Sequence, residues 1–167
     1  MADASESSPA AVIDSRGAFV AAVHAAVDAA WARRARRMIW VDADFADWPL
    51  DDAPLLQRLT DWLRLPQRQL VLLGNDFEDL RLRRARFVAA YRSWSHAIAA
   101  FSPAQDAGAD LPGLLLVDGV QLLQLLDKAH WRGGVSQEPA ALRAAAERVD
   151  ALLQRSEPAF PVTTLGL

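Results

Sequence analysis

Short apolar runs at residues 38–41, 70–73, 97–101 and 114–117 are separated by segments whose apolar residues recur at helical spacing. This alternation constrains the fold more than any other feature of the chain. Ser15 is placed to cap a first helix in which Phe19, Val23, Ala26, Val27 and Ala30 share one face, with Arg33, Arg34, Arg36 and Arg37 closing its end. A second helix starts near Pro54, a residue tolerated in a first turn. It carries Leu55, Leu59, Trp62 and Leu63 inward and stops at Pro66. A third directs Phe77, Leu80, Phe87, Tyr91 and Trp94 toward a core and leaves Arg81, Arg83, Arg86 and Arg92 on other faces. The last helix follows Pro139, with Leu142, Ala146, Val149 and Leu153 in register. Residues 114–117 and 120–126 flank Asp118-Gly119, a two-residue hairpin signal. The predicted order α-β-α-β-α-β-β-β-α specifies an α/β fold: a mainly parallel central sheet, a late antiparallel hairpin, and helices on both faces.

A chain of 167 residues has room for one such domain and not two. The expected organisation is an N-terminal tail at residues 1–14, rich in Ala, Ser and Pro and read as disordered, a domain at 15–156, and a C-terminal tail at 157–167. No apolar run approaches the roughly 20 residues of a membrane span, and the N-terminus lacks the layout of a signal peptide. The expected location is therefore cytoplasmic, with no membrane partner. The chain has no cysteine, which removes thiol nucleophiles and thiolate metal sites. Lys128 is its only lysine, so a Walker A loop cannot be written and Schiff-base chemistry would rest on that one residue. The net charge of −3 gives no overall basic field and argues against a nucleic-acid partner, although it leaves room for a local arginine patch.

Asp42, Asp44 and Asp47, continuing to Asp51 and Asp52, follow the first strand, where open α/β sheets place their ligands. Asp42 and Asp44 are the best metal candidates in the sequence. The strand-Asp-x-Asp pattern resembles the first motif of haloacid-dehalogenase-like phosphatases, in which one carboxylate attacks phosphorus and Mg²⁺ is bound. The chain departs from that pattern: no threonine follows Phe45, the second strand ends in Gly74, and the sequence shows no suitable downstream lysine. Solvated carboxylates and helix-entry charges account for the group more simply. Among the histidines, His24 and His96 read as structural, whereas His130, between Asp127-Lys128 and Arg132, has acid and base neighbours in a loop after the hairpin. The helix-three arginines could contact phosphates, with Trp94 or Trp131 stacking a base, but Asp76, Glu78 and Asp79 precede them at pairing distance. Trp31, Trp62 and Trp94 read first as packing.

Leu111-Pro112-Gly113-Leu114-Leu115-Leu116-Val117-Asp118-Gly119 resembles the strand-turn-strand segment of the phospholipase D-like superfamily, whose active members carry His-x-Lys-x-x-x-x-Asp followed by Gly. Aligned on Asp118, the histidine position is Leu111 and the lysine position is Gly113. The chain from Ser15 onward is similar to one half-unit of that fold, in particular to bacterial domains related to it, through Trp40-Val41-Asp42-Ala43-Asp44-Phe45, Asp118-Gly119 and Gln154-Arg155-Ser156-Glu157-Pro158. The resemblance implies a half-unit that pairs as a homodimer. It also implies that the phospho-enzyme chemistry is lost, because Leu111 and Gly113 can supply neither nucleophile nor cation. His130 and Arg132 form His-x-Arg, but Gln137 stands where an aspartate would be needed. The expected function is that of a non-catalytic binding or interaction module without a cofactor. The alternatives are a Mg²⁺-dependent phosphohydrolase using Asp42 and Asp44, and a phosphate or nucleic-acid binder using the helix-three arginines. Asp118 and, after the hairpin, His130 and Arg132 complete the candidate residues.

Overall fold

The computed structural model describes residues 11–104 and 110–160. Its elements run β1 (Val12–Ile13), α1 (Arg16–Ala32), β2 (Arg37–Val41), α2 (Ala53–Leu63), β3 (Gln69–Leu73), α3 (Glu78–Arg83), α4 (Ala85–Ser93), β4 (Ile98–Pro103), β5 (Gly113–Val117), β6 (Gln121–Asp127), β7 (Arg132–Ser136), α5 (Pro139–Gln154) and β8 (Ser156–Pro158). The eight strands form one sheet in the order β1-β7-β6-β5-β2-β3-β4-β8.

This sheet is mixed and mostly antiparallel, which corrects the expectation of a mainly parallel one. Only β2 with β3 and β3 with β4 are parallel, joined by the crossovers through α2 and through α3 and α4. After β4 the chain returns without a described helix, and β5 runs down against β2 in antiparallel register, Val41 opposite Leu114 and Met38 opposite Val117. From there β6, β7 and β1 extend the sheet by antiparallel pairing, and β8 closes the far edge against β4. The misreading has a physical cause: a strand buried on both faces is a continuous apolar run whichever way its neighbour points.

Alternation along the strands sorts the core into two layers. Met38, Trp40, Leu70, Leu72, Leu115 and Val117 face α1, α2 and α4, where Phe19, Trp62 and Phe87 fill the space. Ile39, Val41, Val71, Leu73, Leu114 and Leu116 face the other way, onto Leu142, Ala145 and Val149 of α5. The hairpin between β5 and β6 uses three residues, 118–120, and not two: Val117 pairs with Gln121, the Val120 N–H donates to the Val117 carbonyl at 2.9 Å, and Gly119 supplies the positive φ of 70°.

Three further differences stand out. The third helix is two, broken at Arg84, whose ψ of 59° leaves the helical region. Residues 132–136, to which the sequence pattern assigns no element, form β7. A Cβ on Gly133 would collide with the Gln124 carbonyl oxygen, so glycine is what lets β7 approach β6 there. Val12–Ile13, inside the stretch read as an N-terminal tail, pairs with β7, while residues 1–10 lie outside the described residues. Among the described residues no helix is long and apolar enough to cross a membrane.

Candidate functional site

The C-terminal ends of β2, β3, β4 and β6 share one end of the sheet with the start of β5. The turns 33–36 and 118–120 lie at the other end. Asp42 closes β2 at the first end and is the one acid among the described residues that is buried, at 4% exposed. Its Oδ2 accepts the backbone N–H of Phe45 at 2.8 Å and, more weakly, that of Asp44 at 3.4 Å, an Asx turn that holds Phe45 at its positive φ of 57°. Its Oδ1 meets Nζ of Lys128 at 2.5 Å. The downstream lysine that the sequence pattern lacked is therefore supplied in space, delivered by the end of β6 across β5. Gly113 lies alongside: a Cβ there would come within 3.5 Å of both Asp42 Oδ1 and Lys128 Cε, an ordinary contact, and within 3.2 Å of Leu125 Cβ. Beside the pair is an open cavity of about 290 Å³ lined by Asp110, Leu111, Pro112, Gly113, Leu125 and Leu126 as well as Lys128.

The remaining candidates disperse. Asp44 is exposed and its Oδ1 accepts the Ala46 N–H at 3.0 Å, so it forms no shared site with Asp42. No group of three or more potential metal-binding His, Cys, Asp or Glu residues occurs among the described residues. His130 is exposed, with Nδ1 2.8 Å from Asp127 Oδ2. That hydrogen bond is the main reason the Asp127 carboxyl is held below the usual carboxylate range. Arg132 opens β7 and is exposed. Asp118 lies at the opposite end of β5 from Asp42. It is exposed, and its backbone N–H donates to the Arg37 carbonyl at 3.0 Å. His24 bonds Asp52, the side chain that caps α2, at 3.2 Å. Of the helix-three arginines, Arg81 pairs with Glu78 at 2.8 Å and Arg83 with Asp79 at 3.6 Å, the Arg86 guanidinium donates to the Asp51 backbone carbonyl at 3.4 Å, and Arg92 is exposed and in no ion pair among the described residues; Arg84, at the helix break, also meets Asp79 at 3.5 Å. Trp131 packs on Phe19, their ring centroids 5.6 Å apart.

Sequence reasoning missed the geometry at the opposite end. Trp31, read as packing, is 47% exposed, and Arg33, Arg34 and Arg36 rim an open concavity of about 410 Å³ beside the 118–120 turn. The helical period could have exposed the error, since Trp31 falls outside the stripe Phe19-Val23-Ala26-Val27-Ala30 that α1 buries.

Neither a protein-family model nor a curated protein sequence matches the chain. Among solved structures it is similar to TrmBL2, an archaeal chromatin protein whose structure is described as showing a novel mode of DNA binding. The TM-score is 0.61 at 12% identity, over 90% of this chain and 55% of that one. The likeness establishes a shared fold, and the present chain spans about half the length of that relative.

Proposed function

We propose that this chain is a non-catalytic domain that works by binding. The observation that carries this reading is the state of Asp42. Both of its oxygens are engaged, one by the ammonium of Lys128 and one by the N–H groups that build the β2 exit turn. A carboxylate used in this way organises structure, because releasing it to attack phosphorus or bind a metal would unmake the turn and leave Lys128 without its partner. The segment resembling the phospholipase D-like motif adds no chemistry: Leu111 is buried, Gly113 carries no side chain, and Asp118 lies at the far end of the strand. A sheet of this kind also occurs in TrmBL2, a protein described by what it binds.

One observation favours the phosphohydrolase alternative, namely the Lys128 ammonium beside Asp42, an arrangement that could neutralise a phosphoryl oxygen. A single assay separates the two readings. Purified protein given chromogenic phosphomonoester and phosphodiester substrates with Mg²⁺ is expected to give no turnover. Turnover that disappears in Asp42→Asn would establish the enzyme instead.

A further inference from the structure

The α1–β2 turn presents three guanidinium groups on a rigid support, and the last turn of α1, which leads into it, leaves the Trp31 side chain half-exposed. The helix ends in paired bonds, from the Ala35 N–H to the Ala30 carbonyl at 2.9 Å and from the Arg34 N–H to the Trp31 carbonyl at 3.2 Å. That pattern puts Arg34 at the position where the chain turns left-handed, with φ 52°, a site that favours glycine. The turn is fixed from outside as well. Trp62 Nε1 donates to the Ala35 carbonyl at 2.8 Å, and the Gln69 N–H donates to the Arg36 carbonyl at 3.0 Å. Arg33, Arg34 and Arg36 are all exposed around the same concavity, and none is in an ion pair among the described residues. The acid at its rim is Asp118, so the cluster carries a surplus of positive charge on a chain of net charge −3. Trp31 stands in the same turn as Arg34, half in solvent.

We infer that this face binds single-stranded nucleic acid, the guanidinium groups on its phosphates and Trp31 stacked on a base. Cations spaced along a rim suit a chain of phosphodiesters, and an exposed aromatic in the adjoining helical turn suits an unpaired base, which a duplex would keep stacked inside. The inference names a ligand class for the binding reading and rests on it.

The test is fluorescence anisotropy with a labelled oligothymidylate and the full chain. Three phosphate contacts predict a salt slope near −2, hence roughly twenty-fold weaker binding on going from about 50 to about 200 mM salt. The Arg33→Gln/Arg34→Gln/Arg36→Gln variant should lose most of that dependence and bind at least about ten-fold more weakly. Trp31→Ala should cost about five-fold or more. Arg81→Gln/Arg83→Gln, which alters the opposite end, should bind like wild type. Absence of binding at low salt, binding indifferent to the triple variant, or equal affinity for a duplex unaffected by Trp31→Ala would each overturn the assignment. So would light scattering that shows a dimer dissolved by the same substitutions, which would make the face an interface between copies. A denaturing gel of the same mixtures separates the two proposals: a shortened oligonucleotide refutes the non-catalytic reading, whereas an intact and unbound one refutes this inference alone.

Discussion

Arg34→Gly tests whether the turn that carries the basic face is held against its own backbone preference. Arg34 sits at φ 52° immediately after α1, and nothing in its backbone bonding requires a side chain: its N–H reaches the Trp31 carbonyl whatever residue stands there. A left-handed residue with a β-carbon pays roughly 1–2 kcal/mol for the close approach of Cβ to the backbone. Glycine removes that penalty but loses about 0.5–1 kcal/mol through the greater freedom of the unfolded chain. The expected net gain is about 0.5–1 kcal/mol, or some 1–4 °C in Tm for a domain of this size. Urea melts followed by circular dichroism should show a higher midpoint with an unchanged slope. Arg34→Ala is the control: it keeps the β-carbon and should melt like wild type, so any gain in that variant would point to relief of charge repulsion among the arginines. A destabilised Arg34→Gly protein would refute the reasoning, because the side chain would then be contributing contacts that outweigh its strain.

The mirror experiment is Gly119→Ala, at φ 70° with nothing within 4 Å of the place a methyl group would take, which should lose about 1 kcal/mol from backbone strain alone in the same melts. Lys128→Met should destabilise by about 1–3 kcal/mol by leaving a buried carboxylate without its cation. Adding Asp42→Asn should recover part of that loss, and a double-mutant cycle would read the coupling. Trp62→Phe should cost about 1 kcal/mol more than Trp40→Phe, because Trp62→Phe leaves the Ala35 carbonyl without its indole donor whereas the buried Trp40 Nε1 has no partner among the described residues to lose; equal losses would mean that the bond to Ala35 does not hold the turn. The hydroxyl pKa of Tyr91, the only tyrosine, is pushed up to about 12 by burial. Its absorbance titration should therefore lag a free phenol's, and its contribution to stability, intact below pH 10, should be lost between pH 10 and about pH 12.

How much of this was legible in the sequence depends on the range of the interaction that decides each feature. The helices could be read because their signals are local. Ser15 accepts the Ala18 N–H as a cap should, Asp52 and Pro54 open α2, and the buried faces of α1 and α2 fall at the expected spacing. Strand direction was not legible, because 114–117 is apolar at every position and such a run fits beside β2 in either sense. The third helix was read through Arg84 because side-chain period continues across the break, whereas the backbone turn there is marked by neither Gly nor Pro. The Asp42–Lys128 pair was invisible for a related reason. It depends on β6 returning beside β5 so that its end overhangs Gly113, a relation between residues far apart in sequence that no local pattern encodes.

The net charge misled in an instructive way, since a sum says nothing about where the charges are neutralised. At the end of the sheet where open α/β folds place their ligands, Lys128 is matched by Asp42, His130 by Asp127 and Arg81 by Glu78, and Arg132 stands there as an isolated cation rather than one of a cluster. At the other end, α1 runs out into three closely spaced arginines whose local role is to complement the negative pole of a helix, a modest and solvent-screened gain. That role needs one cation at most, and it does not need Arg34 in a conformation that favours glycine or Trp31 left in water. A cluster of unpaired arginines with a half-exposed tryptophan in the adjoining helical turn, which fold stability does not call for, therefore lies at the end where the parallel strands begin. If the domain functions by binding, this is the end that the physical chemistry marks out.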